Sequence, residues 1–271
     1  MDFFASYFVQ NALIASFFLS ISAGIIGSII VANKNVFMAG GVAHSAFGGV
    51  GVALFFGVNA LFGAMIAAIL MSLFMVYASF KHSGRLDTFI AAFWAFGMAV
   101  GIIFIDMASG YKINIESYLF GSLIFTTRQD LWFIIGFDIV LVCLVAMYYR
   151  EILGILYDQE FCTLKNLKTH FFITMIFVLS SIGIVLGMRS GGLVLIISIV
   201  SIPAYIAMMM TRNFKWQLVV STLLCLVFMW VGFFLSYYYE LASGACIVLC
   251  AMGAFIVAMC IKSLMQRIRY E

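Results

Sequence analysis

Charge is what this chain has least of. Asp, Glu, Lys and Arg make up 9% of its 271 residues, against about 25% in a soluble domain. So little polar surface excludes a solvated globular body. Proline occurs once, at Pro203, so long helices can run without interruption. The six cysteines are scattered and none shows C-x-x-C spacing. Neither a disulfide frame nor a zinc knuckle is expected; Cys246 and Cys250 share a helix face and read as packing residues. No G-x-x-x-x-G-K-[ST] loop and no H-E-x-x-H is present, so neither phosphate-loop ATP hydrolysis nor zinc-protease chemistry is expected. The N-terminus carries no basic run and no cleavage site, so no removable signal peptide is expected.

Apolar residues are there in quantity: 66% of the chain, with mean hydropathy +1.19. A spanning helix needs about 20 of them in a row. Such runs lie near 7–32, 36–56, 59–80, 88–108, 130–149, 169–188, 192–210, 216–238 and 244–262. The fold class is therefore an all-α integral membrane protein. It is a polytopic bundle of about nine transmembrane helices, or eight if one run dips in and returns. Residues 1–271 form one transmembrane domain.

Basic residues orient it. Lys34, Lys81, Arg85, Arg150, Lys165, Lys168, Arg212, Lys215, Lys262, Arg267 and Arg269 fall on one side of the nine-span layout, 11 of the 14. Lys112, Arg128 and Arg189 fall on the other. The larger set marks the cytoplasm, which puts the N-terminus outside, the C-terminal tail inside and segment 150–168 inside.

Two segments break the pattern. Residues 108–130 mix Gly110, Asn114, Glu116 and Gly121 with short apolar runs. They read as a loop with a re-entrant or interfacial piece, a backbone tolerated at membrane depth only where protein or water covers it. In the cytoplasmic segment, Asp158 and Glu160 precede Lys165 and Lys168, the charge order that suits a short helix and its dipole. Phe161 and Leu164 would share one face of it, which suits docking of a soluble partner.

Ionisable residues inside spans are rare and mark functional sites by default. His44 sits in VFMAGGVAHSAFGGVG, residues 36–51. On a helix it shares a face with Gly40, Gly41, Gly48 and Gly51. That stripe either lets another backbone approach closely or leaves room for an ion, and the residues leave both readings open. Asp138 lies within the run 132–149, where a carboxylate costs about 3 kcal/mol and needs a partner. Asp106 lies near the outer end of its span. His82 and His170 sit at cytoplasmic helix ends and are expected to be solvated.

Five stretches, in order, carry a family resemblance: AGGVAHSAFGGVGVAL, SYLFGSLIF, LYDQEFCTLKN, GGLVLIISIVSIPAYIAMMM and GFFLSYYYELASGACIVL. The chain resembles the permease subunits of bacterial ABC importers for zinc, manganese and iron, the ZnuB- and MntB-like group. It departs at Gly40, where many members carry Asp, and at Ser122, Gln159 and Ala242.

The resemblance implies a non-enzymatic permease in the bacterial cytoplasmic (inner) membrane. It implies a homodimer with a path on its axis, two cytoplasmic ATPase subunits and an extracytoplasmic metal-binding protein, besides membrane lipids and with no nucleic acid. No cofactor is held permanently; Zn, Mn or Fe is cargo. His44, Asp106 and Asp138 are the candidate metal residues of the path. Asp158, Glu160 and Phe161 are candidates for ATPase coupling. The rivals are a secondary transporter or channel using Asp138, and an ABC permease for an iron chelate or vitamin B12.

Overall fold

The computed structural model describes residues 7–81, 85–108, 121, 123 and 126–270, the last five by backbone alone. Among these residues eleven helices follow in order: α1 Tyr7–Ala32, α2 Phe37–Phe55, α3 Ala60–Lys81, α4 Leu86–Met107, α5 Arg128–Met147, α6 Tyr149–Tyr157, α7 Gln159–Leu164, α8 Thr169–Gly191, α9 Leu193–Met210, α10 Phe214–Tyr239 and α11 Ser243–Tyr270. Among the described residues, nine are long and apolar enough to cross a membrane. Each expected run is one full-length helix, which favours nine spans over eight. The re-entrant piece expected within 108–130 lies largely outside the described residues, as does His82.

Local chemistry sets the breaks. Thr127 caps α5 by accepting from the Asp130 amide, while the Asp130 side chain accepts from the Thr127 amide, a reciprocal capping box. Gly192 alone joins α8 to α9, at φ +86°, a conformation that glycine adopts without a Cβ clash. Pro203 inside α9 cannot donate to the Ile199 carbonyl. The Cys225 thiol of α10 takes that acceptor instead, at 3.4 Å.

Contacts between helix termini define two ends. Phe80, near the end of α3, stacks on His170, at the start of α8. Asp130, at the start of α5, pairs with Arg189, near the end of α8. Long helices therefore alternate in direction. One end carries the α1–α2 and α3–α4 turns, α6 and α7, with Lys34, Lys81, Arg85, Arg150, Lys165, Lys168, Arg212 and Lys215. The other carries Arg128, over the Tyr7 ring at 4.7 Å, and Arg189.

The helices gather into two sheaves. In the first, α2 lies against α3 and α4; in the second, α1, α9, α10 and α11 pack together with α5 against α1. Helix α8 joins them, touching α1, α2, α3, α5 and α9. Lipid tails are as apolar as leucine, so close van der Waals contact is what holds such helices together. Glycines supply it. A Cβ on Gly48 would meet the Gly97 carbonyl, and one on Gly51 the Gly101 carbonyl, where α2 and α4 run side by side. In the second sheaf Gly24 lies on the Thr222 backbone and Gly27 on the Val200 carbonyl.

Candidate functional site

His44 stands seven residues into α2, about 10 Å from the basic end at 1.5 Å per residue. It is 7% exposed. Its Nδ1 donates to the Gly40 carbonyl at 2.8 Å, since a carbonyl only accepts. In the neutral ring that leaves the lone pair on Nε2, the atom an imidazole uses to bind a metal or take a proton. The ring stacks on the Trp94 indole of α4, with centroids 4.1 Å apart and planes at 27°.

The glycine stripe is occupied along its length. Gly40 faces the Trp94 ring so closely that a Cβ there would run into it. Gly41 packs on Ile90 and Met75, and Gly48 and Gly51 form the α2–α4 seam. Ser45, beside His44, lines a cleft of about 600 Å³ between α2, α3 and α4, and its hydroxyl finds no hydrogen-bond partner.

The two acids lie apart from His44. Asp106 is exposed, twelve residues beyond Trp94 on α4, which is about 18 Å along the helix. Asp138 belongs to α5 and the second sheaf. It is 3% exposed, with Ser22 of α1 beside it. The Ser22 hydroxyl donates to the Leu19 carbonyl, and neither Asp138 oxygen has a hydrogen-bond partner. Among the described residues, no three His, Cys, Asp or Glu side chains converge. His170 is exposed on its outer face and covered by the Phe80 ring.

Two residues of α4, one stacked on His44 and one nearer the basic end, had no signal in the sequence. Trp94 lines a cavity of about 380 Å³ together with Phe37, Asp87, Ile90, Ala91 and Ala95. Neither Trp94 nor Asp87 stands at a spacing that ties it to residue 44, because they come from another helix.

At the basic end, α6 buries Ile152 and Ile155. Burial, together with the neighbouring Tyr157, raises the pKa of the Tyr149 phenol. Asp158 caps α7 by accepting from the Phe161 amide at 2.9 Å. Cys162 points inward, 4% exposed, while Phe161 and Leu164 are 52% and 82% exposed. Asp158 and Glu160 are exposed alongside them. This short helix therefore presents an apolar patch with acids on its margin.

Comparisons with known proteins agree with this architecture. Residues 5–262 match the ABC 3 transport family. The chain is 39% identical over 255 residues to the uncharacterized membrane protein slr2045 of Synechocystis sp., covering 94% of this chain and 91% of that one. It is 26% identical over 252 residues to the manganese import system permease protein ScaB of Streptococcus gordonii, covering 93% and 90%. In fold it resembles a chain of PsaBC from Streptococcus pneumoniae in complex with Fab, with a TM-score of 0.84 at 24% identity over 95% of this chain and 92% of that one. With the family pattern reaching all nine long helices among the described residues, this multi-pass membrane protein belongs to the ABC 3 transport family.

Proposed function

We propose that this chain is the permease of an ATP-driven importer that moves a divalent transition metal ion, manganese first among Zn, Mn and Fe, across the bacterial cytoplasmic membrane. The observation that carries the reading is His44: an imidazole about 10 Å inside the bundle, its Nδ1 occupied and its Nε2 left as the ligand atom. Neutral imidazole suits these ions better than Ca²⁺ or Mg²⁺.

One imidazole binds such an ion weakly. A second copy of the chain, meeting this one along the sparsely buried face of α4, would supply another. Asp106 lies on the face of α4 that also bears Ala95, eleven residues earlier, and stands at the outer end where the ion arrives. Asp138 lies in the other sheaf and takes no part in holding it. Weak, shared coordination suits transport, because the ion must also leave. The ion is cargo, and no resident cofactor is required.

The end bearing α6 and α7 faces the cytoplasm, in keeping with its basic residues. Energy comes from separate ATPase subunits that dock on the Phe161 and Leu164 patch, held by Asp158 and Glu160. A metal-binding protein delivers the ion at the opposite face.

The test is uptake of radiolabelled Mn²⁺ by cells carrying His44→Ala, with permease level and ATPase association followed alongside. The expected result is a loss of at least about tenfold with assembly intact, the scale on which ligand-shell changes act. Unchanged uptake returns His44 to a packing role. Uptake of a ferric chelate but not of Mn²⁺ by the unmodified protein, lost in His44→Ala, moves the cargo to a chelate.

A further inference from the structure

We propose that Trp94 is a shutter between His44 and a cytoplasmic vestibule, and that Asp87 in that vestibule receives the ion as it leaves His44. The inference rests on the permease reading above and adds the exit step to it.

Trp94 touches both the buried imidazole and the cavity. Its ring stacks on His44, and the same residue lines the 380 Å³ cavity, which His44 does not reach. The indole is thus the partition between the imidazole and that space. The chain makes room for the ring in one specific way: Gly40 has no Cβ, and a methyl group there would occupy the indole's place. The ring lies over the same turn of α2 whose carbonyl fixes the His44 tautomer.

The far side of the partition is apolar apart from one carboxylate. Among the described residues that line the cavity, Phe37, Asp87, Ile90, Ala91, Trp94 and Ala95, Asp87 is the one ionisable side chain. Residues 87, 91 and 94 are spaced i, i+4 and i+7, so they share one face of α4. Asp87 lies seven residues, or about 10 Å, nearer the basic end than Trp94. It is exposed, where water can complete the ion's shell. The order imidazole, indole, carboxylate then leads from the interior to that end. The cavity lies directly beside the ring on the sparsely buried face of α4, and the opening step is a swing of the indole into it. When it swings, Nε2 and the vestibule share one space.

Labelling of His44→Cys by a water-soluble maleimide in inside-out vesicles tests the shutter without requiring transport. The rate is read above that of the protein with its native cysteines only. With Trp94 in place, labelling is slow; adding Trp94→Ala speeds it at least about tenfold, and Trp94→Phe, a smaller ring, speeds it less. Labelling that is equally fast or equally slow in all three overturns the shutter. Acceleration seen only from the opposite membrane face overturns its cytoplasmic placement. Thermal midpoints measured in detergent identify a Trp94→Ala protein that has loosened; the Trp94→Phe rate then decides.

For the receiving carboxylate, Asp87→Asn lowers Mn²⁺ uptake several-fold and Asp87→Glu restores it, both at normal permease level. Unchanged uptake in Asp87→Asn overturns that role. Normal uptake in His44→Ala would defeat the metal-ligand reading instead, while the labelling rates would still decide whether Trp94 closes the way to residue 44.

Discussion

His44 in the α2–α3–α4 sheaf and Asp138 in the α1–α5–α10 sheaf lie about 10 Å and about 14 Å from the same end of the bundle. Both are more than nine-tenths buried. Their surroundings differ. His44 has one nitrogen bonded to its own helix, a ring stacked flat on indole, and a cavity beyond that ring. Asp138 has one neighbouring hydroxyl, that of Ser22, and no hydrogen-bond partner at either oxygen. Burial and rarity nominate the two residues equally. What separates them is whether the neighbours orient a ligand atom and leave somewhere for an ion to go.

The largest expected effect comes from breaking the seam that holds the first sheaf. Gly51→Leu would drive a side chain into the Gly101 backbone, an overpacking worth about 3 kcal/mol or more. Permease should disappear from the membrane fraction. Gly136→Ala and Gly253→Ala, which meet nothing within 4 Å, should leave the level unchanged. Equal tolerance at all three sites would mean that the seam does not hold the sheaf.

Next comes the contrast between the two buried groups. Mn²⁺ uptake should fall at least about tenfold in His44→Ala and change less than about twofold in Asp138→Asn. If Asp138→Asn abolishes uptake at normal level, the contrast collapses and the acid joins the path. A double variant, Glu160→Arg with Phe161→Asp, sharpens the same measurement. It should stop uptake and lose the ATPase in a pull-down while touching neither buried group. Retained ATPase and retained uptake would reduce α7 to a linker.

A smaller effect is expected at Gly40→Asp. In this chain the new carboxylate must first displace the Trp94 ring, so the thermal midpoint in detergent should drop before any gain in metal affinity appears. A tighter Mn²⁺ complex at an unchanged midpoint would show that residue 40 turns toward the path. The smallest effect is Asp138→Leu, which removes two unpaired buried oxygens and should raise stability by about 1 kcal/mol. A fall would mean that Asp138 holds its sheaf together, with the Ser22 hydroxyl of α1 as its nearest partner.

Much of this was legible in order. The nine runs, the polar turns between them and the short helix after Asp158 all come from local pattern, and the structure places helices there. The two-turn helix α6 was not separated from the polar stretch 150–168, because its burial of Ile152 and Ile155 depends on α5 and α8 beside it. The glycine stripe around His44 was visible, but not what fills it. Nothing near residue 44 in sequence points to residue 94, and a lone Asp87 in a polar turn looks like any solvated helix start.

The sequence by itself determined where runs apolar enough to span the bilayer lie and which ends are basic. Both follow from free energies that add residue by residue along the chain, transfer into hydrocarbon for the first and the placement of Lys and Arg for the second. Only the tertiary structure decided that α4 lies along α2, that an indole takes the space Gly40 leaves, and that Asp138 ends up in the other sheaf. Helix pairing within a membrane rests on close contact between two complementary surfaces, and that complementarity is a property of the pair, carried by neither helix alone.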